Sequence, residues 1–239
     1  MKKLLLVPLA LIFMLGLAPS CKHNPYIPDG VLIVDSTDLT QPCDPNVVYF
    51  INQVQPILVS NCAKPGCHDS NTRAEDIDYS TYQSTIQSET VEPGRPNNSK
   101  LYEIIIKTDP NDVMPPSGNT PLTADQKDII YMWILQGALN NGCTETTCDT
   151  ANQTLSANVQ PTLSTYCYGC HSSAAANGSG AGISLETYSN LQTTVADGKL
   201  MCSINHGASC SAMPKGGTKL PQCQIDKIQS WINAGALNN

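Results

Sequence analysis

An internal repeat constrains the fold of this chain more than any other sequence feature. Matching segments occur in the same order in both copies: Cys43-Asp44 with Cys148-Asp149, Val54-Gln55-Pro56 with Val159-Gln160-Pro161, Met114-Pro115 with Met213-Pro214, and Trp133-Ile134 with Trp231-Ile232. Their offset shortens slightly along the chain, as loops of different length would cause. Two tandem modules of one kind is the economical interpretation. We predict a first domain over residues 43–143 and a second over residues 144–239.

The start of each module has a helical pattern. In the first module Asp44 is a candidate helix cap with Pro45 at the first helical position. An apolar stripe then runs through residues 47–54 until Pro56 interrupts it. The pattern predicts a helix that begins at Asp44 and ends before Pro56.

The end of each module also has a helical pattern. Thr123 and Gln126 have the spacing of a capping box, and Gly137 supplies a stop signal. The apolar residues between them predict one buried face: Ile129, Ile130, Trp133 and Ile134. Because no stretch shows sustained period-two alternation, the expected fold class is mainly α.

A cysteine and histidine cluster follows the first helix of each module. The second module has Cys167-Tyr168-Gly169-Cys170-His171, a spacing typical of covalent c-type haem attachment. In such a motif two thiols form thioethers with the porphyrin edge, and the adjacent histidine binds the iron. The first module has Cys62 and Cys67-His68, with four residues between the thiols instead of two. We predict one covalent haem c at each cluster, two in all.

Zinc binding and plain disulfides are the alternative interpretations of these clusters. Zinc prefers four nitrogen or sulfur ligands, and each cluster offers two cysteines and one histidine, with no fourth ligand repeated in both modules. A disulfide between Cys167 and Cys170 would leave the repeated downstream Met-Pro pair unexplained.

Met114 and Met213 are the predicted second axial ligands of the two irons. Each lies on a proline-containing loop downstream of its histidine, and a thioether ligand raises the reduction potential relative to a second imidazole. His206 is a rival ligand for the second iron, but the first module has no histidine at the equivalent place. An iron with both axial positions filled suits electron transfer.

The order of helix, attachment motif, methionine loop and helix resembles the class I cytochrome c fold over residues 43–239. Two phrases are similar to the cytochrome c domains of Bacteroidota and Planctomycetes lipoproteins and multidomain proteins: Pro93-Gly94-x-Pro96-x-x-Ser99-x-Leu101-Tyr102 and Met213-Pro214-Lys215-Gly216-Gly217. The resemblance implies two tandem helical domains, each wrapped around a covalent haem. The first motif departs from the usual spacing, and we expect its loop of Lys64, Pro65 and Gly66 to bulge outward.

The N-terminus resembles a bacterial lipoprotein signal. Lys2 and Lys3 precede an apolar run over residues 4–17, and small residues stand directly before Cys21. We predict a signal peptide over residues 1–20, lipidation of Cys21 and a tether over residues 21–42. The protein would then be exported and anchored to a membrane, in the periplasm or at the outer membrane or cell surface. Plain secretion with a spare thiol at Cys21 is the alternative.

The six remaining cysteines are an even number, compatible with three disulfides in an oxidising compartment. The preferred pairs are Cys202 with Cys210, Cys43 with Cys143, and Cys148 with Cys223. The main rival joins Cys143 with Cys148, which leaves Cys43 and Cys223 for each other.

The formal net charge of -7 disfavours nucleic acid as a partner and favours redox proteins with basic docking patches. We expect a membrane-tethered dihaem c-type cytochrome that relays single electrons and is not an enzyme. The alternatives are a dihaem peroxidase-like enzyme, which would need an open iron position and acid/base groups, and a disulfide-rich, non-redox binding lipoprotein.

Overall fold

The structure is a computed structural model that describes residues 40–217 and 219–239. The predicted signal peptide over residues 1–20, the lipidation site Cys21 and most of the tether over residues 21–42 lie outside the described residues.

The described part of the chain is helical. It has nine α-helices and no β-strand, so the prediction of a mainly α fold is confirmed. The helices are α1 (Gln55–Asn61), α2 (Tyr82–Gln87), α3 (Lys100–Ile106), α4 (Ala124–Leu135), α5 (Gln160–Tyr166), α6 (Tyr168–His171), α7 (Tyr188–Ala196), α8 (Lys199–Ile204) and α9 (Gln222–Asn233). Short 3-10 helices span Ala74–Asp76 and Pro96–Asn98.

The predicted boundaries of the first helix are wrong. Asp44 does not begin a helix: its side chain accepts a hydrogen bond from the backbone N–H of Asn46 at 2.8 Å and forms a turn. The chain becomes helical at Phe50, in a π-helical turn over Phe50–Val54. Pro56 then lies in the first turn of α1, directly after that π-helical turn. The same π-to-α transition occurs at Leu155–Val159, before Pro161 in α5.

The prediction for the last helix of the first repeat is confirmed. Thr123 accepts from the backbone of Gln126 at 3.2 Å, and the Gln126 side chain accepts from the backbone of Thr123 at 2.9 Å. Ile130, Trp133 and Ile134 are fully buried, and Ile129 packs against them. The helix ends just before Gly137, whose φ of 102° is accessible to glycine without strain.

Each repeat anchors its C-terminal helix with the same tryptophan contact. The indole N–H of Trp133 donates to the carbonyl of Leu139 at 3.0 Å, and that of Trp231 donates to Leu237 at 2.8 Å. Trp133 also packs against Phe50, with ring centroids 5.3 Å apart. The tryptophans therefore tie the start and the end of each repeat to a common core.

Two separate clusters of buried apolar residues lie within the two repeats. One draws its buried members from residues 50–138, and the other from residues 155–236. The domain boundaries themselves stay a prediction.

The structure contains the three disulfides that the sequence favoured: Cys43–Cys143, Cys148–Cys223 and Cys202–Cys210. The rival pairing of Cys143 with Cys148 is therefore wrong. Cys43–Cys143 joins the two ends of the first repeat, and an isolated bridge between Pro42 and Thr144 lies beside it. Cys148–Cys223 ties the start of the second repeat to α9.

Over residues 40–217 and 219–239, no helix is both long enough and apolar enough to span a membrane.

Candidate haem-binding sites

The four cysteines of the two predicted attachment motifs have free thiols. Cys62 and Cys67 lie in the first motif, and Cys167 and Cys170 lie in the second. Cys62 directly follows α1, and Cys167 directly follows α5. The ends of two equivalent helices, α1 and α5, thus position the first thiol of each motif.

The two motifs close with the same backbone hydrogen bond despite their different lengths. The N–H of His68 donates to the carbonyl of Cys62 at 3.1 Å, and the N–H of His171 donates to that of Cys167 at 2.8 Å. In the second motif this bond closes a helical turn, α6. In the first motif it spans two additional residues. The longer loop therefore still brings the histidine back to the first cysteine.

Both histidine side chains are held by a backbone carbonyl. Nδ1 of His68 lies 3.0 Å from the carbonyl oxygen of Ala74, and Nδ1 of His171 lies 2.9 Å from that of Ile183. Because a carbonyl oxygen only accepts hydrogen bonds, each Nδ1 must carry the proton. Each Nε2 then presents a lone pair, the arrangement in which an imidazole binds a metal.

The first thiol of each motif is strongly desolvated. Burial raises the pKa of Cys62 to about 12; nearby Lys64 opposes this rise, and Cys67 adds to it. Burial, and to a lesser extent Cys170, raises the pKa of Cys167 to about 12. A thioether has no proton to lose and suits such a position, whereas a thiolate would place a negative charge there. Within the described ranges, no group of three or more His, Cys, Asp or Glu side chains is arranged to hold a metal ion.

One buried hydroxyl in the second motif lacks a hydrogen-bond partner. The phenol oxygen of Tyr168 is buried and has no partner among the described residues. Its pKa is raised to about 12, first by burial and then by Cys167 and Glu186. A buried donor of this kind calls for an acceptor, which the carboxylates of a haem would provide. The thiols, histidines and this hydroxyl together fit a covalently attached haem.

The predicted methionine ligands are placed equivalently in the two repeats. The N–H of Met114 donates to the carbonyl of Ile104 at 3.1 Å, and the N–H of Met213 donates to that of Ser203 at 3.1 Å. Ile104 lies in α3 and Ser203 in α8, so corresponding helices hold both loops. The peptide bonds from both methionines to the following prolines are cis. Coordination by Met114 and Met213 stays a prediction.

His206, the rival ligand, supports the methionine loop. Its Nε2 lies 3.0 Å from the carbonyl oxygen of Met213 and donates to it. The Cys202–Cys210 disulfide lies in the same segment, and a side chain on Gly207 would come within 2.9 Å of the sulfur of Cys202. His206 and the disulfide thus fix the loop that presents Met213.

The two attachment motifs contact each other, which the sequence did not predict. The hydroxyl of Ser60 donates to the carbonyl of Tyr166 at 2.8 Å, and the phenol of Tyr166 donates to the carbonyl of Asn52 at 3.0 Å. A Cβ on Gly169 would lie 1.8 Å from the carbonyl oxygen of Ser60. Only a glycine between Cys167 and Cys170 therefore permits this approach of the two backbones.

The expectation that the first attachment loop bulges outward is only partly right. Pro65 and Gly66 are exposed, but Lys64 is 5% exposed and turns inward. Its ammonium donates to the side-chain oxygen of Asn119 at 2.6 Å and to the carbonyl of Gly169 at 3.1 Å. Lys64 turns inward because its ammonium binds Gly169, which is more than 100 residues away in sequence. The two additional residues of the first motif make the loop long enough for this contact.

The methionine loops contribute to the same contact region. Thr120, in the segment after Met114, donates to the carbonyl of Tyr168 at 3.3 Å and hydrogen-bonds with Ser172. Gly217, in the loop after Met213, packs closely against Val59 of α1. Each methionine loop therefore rests against the opposite repeat, beside its attachment motif.

Residues 65–118 match a family model described as Planctomycete cytochrome C. The matched stretch includes Cys67, His68 and Met114, and it ends before α4. Comparison with curated proteins found no match, and comparison with solved structures found none either. The family match supports a cytochrome c-like family, which implies covalently bound haem c and favours an electron carrier over an enzyme.

Proposed function

We propose that the protein is a membrane-tethered dihaem c-type cytochrome that relays single electrons between redox partners. The observation that carries this proposal is the equivalence of the two motifs. Each has two free thiols, a histidine with an available Nε2 and a closing hydrogen bond from that histidine to the first cysteine. The family match includes Cys67 and His68 of the first motif, and the equivalent geometry of the second motif supports a second haem there.

The residues of each repeat have distinct roles in this proposal. Cys62 and Cys67 would attach the first haem, and Cys167 and Cys170 would attach the second. His68 and His171 would bind the irons through Nε2, while the carbonyl contacts at Nδ1 hold each ring in place. A bound haem supplies an iron that accepts and releases one electron.

Met114 and Met213 would each provide a further ligand to one iron in this proposal. Equivalent backbone hydrogen bonds anchor both loops, which favours one role for both methionines. A thioether ligand favours the reduced state and keeps small molecules from the iron. The protein would thus contribute the residues that hold each haem and that keep other ligands from its iron.

The contact between the motifs supports a relay within one chain. Ser60, two residues before Cys62, touches Gly169, which lies between Cys167 and Cys170. The two attachment segments are thereby held against each other. In the proposed relay an electron enters at one site, passes to the other and leaves to an acceptor protein.

Lipidation of Cys21 would tether the protein to a membrane, and the net charge of -7 suits docking to basic patches on partner proteins. A Cys21→Ser variant is expected to move from the membrane fraction to the soluble fraction. Retention of this variant in the membrane would contradict the lipid tether without affecting the haem assignment.

Redox titration of the purified holoprotein tests the relay. We expect each chain to take up two electrons and its ferric form to bind no added cyanide. A Met213→Ala variant should keep its haem but bind cyanide at one site, because that iron has lost a ligand. Rapid turnover of hydrogen peroxide by the unaltered protein would contradict the carrier role and favour a peroxidase.

A further inference from the structure

Lys64 occupies an unusual place for a lysine. It is 5% exposed, and the two oxygens that accept from its ammonium, on Asn119 and Gly169, belong to uncharged groups. Among the described residues its ammonium forms no ion pair. Burial of an unpaired charge is costly, so a lysine at such a position calls for a role beyond packing.

Lys64 is close to both attachment motifs at once. It follows Cys62 by two residues, and its ammonium touches the carbonyl of Gly169, between Cys167 and Cys170. The contact between Gly169 and Ser60 keeps the two motifs together around it. Its positive charge is therefore fixed where the motifs meet, and solvent screens it weakly.

We propose that Lys64 is a positioning residue shared by the two sites, which links the motifs and makes both haems easier to reduce. This inference rests on the proposed dihaem function. Reduction adds one electron to a haem, supplied by a redox partner, and no covalent bond forms or breaks. A nearby fixed cation stabilises the product of that step more than the reactant.

The inference also explains the irregular spacing of the first motif. The second motif closes in one helical turn and has no residue equivalent to Lys64. Two additional residues between Cys62 and Cys67 provide the length to reach Gly169 while His68 still bonds to Cys62. The longer loop thus serves the contact between the sites.

The test compares reduction potentials of holoprotein variants by spectroelectrochemical titration. Lys64→Gln removes the charge, and Asn119→Asp keeps the lysine but places a carboxylate where an oxygen already lies 2.6 Å from the ammonium. We expect both changes to lower the reduced-to-oxidised ratio of both haems at a fixed potential. For Lys64→Gln the ratio should fall about tenfold, which is equivalent to a reduction potential lower by about 59 mV. The shift should persist in 1 M salt, because the charge is buried.

Lys100→Gln and Asn190→Asp are the matched controls, since both residues are exposed. Neither control should move the potentials appreciably in 1 M salt. Should Lys64→Gln fail to fold, Asn119→Asp decides alone, because it neutralises the charge without removing the side chain. Unchanged potentials in a variant that carries two haems, or a shift at only one haem, would overturn the shared role. A denatured mass showing fewer than two haems in the unaltered protein would instead contradict the proposed function.

Discussion

The two attachment motifs reach one geometry by different routes. In the second motif, His171 returns to Cys167 within a single helical turn. In the first, His68 returns to Cys62 across a longer loop whose middle residues turn in two directions. The closing hydrogen bond and the free Nε2 are common to both, whereas the distance in sequence between the thiols is not. The spacing can therefore vary, provided that the histidine returns to the first cysteine.

The two loops also differ in what surrounds them. A Cβ on Gly66 in the first motif would meet no atom within 4 Å, whereas one on Gly169 in the second would collide with the backbone of Ser60. The first loop has an exposed end and an inward lysine, and the second loop is the surface on which that lysine docks. The repeats are thus similar within their own cores and complementary where they meet.

The largest expected effect comes from removing one pair of attachment cysteines. The double variant Cys62→Ala with Cys67→Ala should lose one haem, and Cys167→Ala with Cys170→Ala should lose the other, because each pair supplies both thioether bonds. Each variant should lose about 0.6 kDa of denatured mass relative to the unaltered holoprotein. If one variant, after correction for its substitutions, had the same mass as the unaltered protein, the cysteines removed from it would attach no haem. The two motifs would then not be equivalent.

Removal of the disulfides at the ends of the repeats should follow in size. The 100-residue separation of Cys43–Cys143 and the 75-residue separation of Cys148–Cys223 are both long. Loss of either should lower the free energy of unfolding by about 4–5 kcal/mol through chain entropy. Cys202–Cys210, with a separation of 8, should contribute about 2.5 kcal/mol. Urea unfolding of the three double-alanine variants measures these losses of unfolding free energy. A larger loss for Cys202–Cys210 than for the two long-range disulfides would contradict the prediction.

Gly169→Ala tests the contact between the motifs. Its new methyl group would lie 1.8 Å from the carbonyl oxygen of Ser60, so the backbones must separate. We expect a loss of about 1–3 kcal/mol in the free energy of unfolding. Gly178→Ala is the control, because its methyl group would have no neighbour nearer than 3.7 Å. Similar losses in the two variants would show that the repeats do not rely on this contact.

The smallest expected effect is at the start of α4. Thr123 caps this helix with its side chain, whereas the equivalent helix α9 follows Pro221, which provides no side-chain cap. Thr123→Ala should therefore cost about 1 kcal/mol of unfolding free energy. Thr147→Ala, at an exposed threonine outside any helix, provides the baseline in the same urea unfolding experiment. If Thr123→Ala lowered the unfolding free energy no more than Thr147→Ala, the side-chain cap of α4 would contribute nothing that α9 lacks.

Features that depend on local pattern could be predicted from the sequence. The capping box at Thr123 and the stop at Gly137 depend on residues within one helix, so their spacing was sufficient. The disulfide pairs were only a preference at the level of sequence, because the rival set that joins Cys143 with Cys148 stayed open until the structure showed Cys43–Cys143 and Cys148–Cys223.

Features that depend on distant contacts could not be predicted. The start of the first helix was misplaced because Asp44 forms a turn with Asn46, and the backbone N–H of Phe50 donates to the side-chain oxygen of Asn141 at 2.8 Å, 91 residues away in sequence. The direction of Lys64 depends on Asn119 and Gly169, and neither is near it in sequence. The long side chain and charge of a lysine usually indicate an exposed position. Here the partners lie in the opposite repeat and in the loop that carries Met114.

The mass of the purified, denatured holoprotein tests the equivalence of the two motifs most directly. Two covalent haems should add about 1.2 kDa to the mass of the processed polypeptide. An addition of about 0.6 kDa would show that only one motif attaches a haem, and it would contradict a dihaem protein. No addition would contradict haem attachment at both motifs.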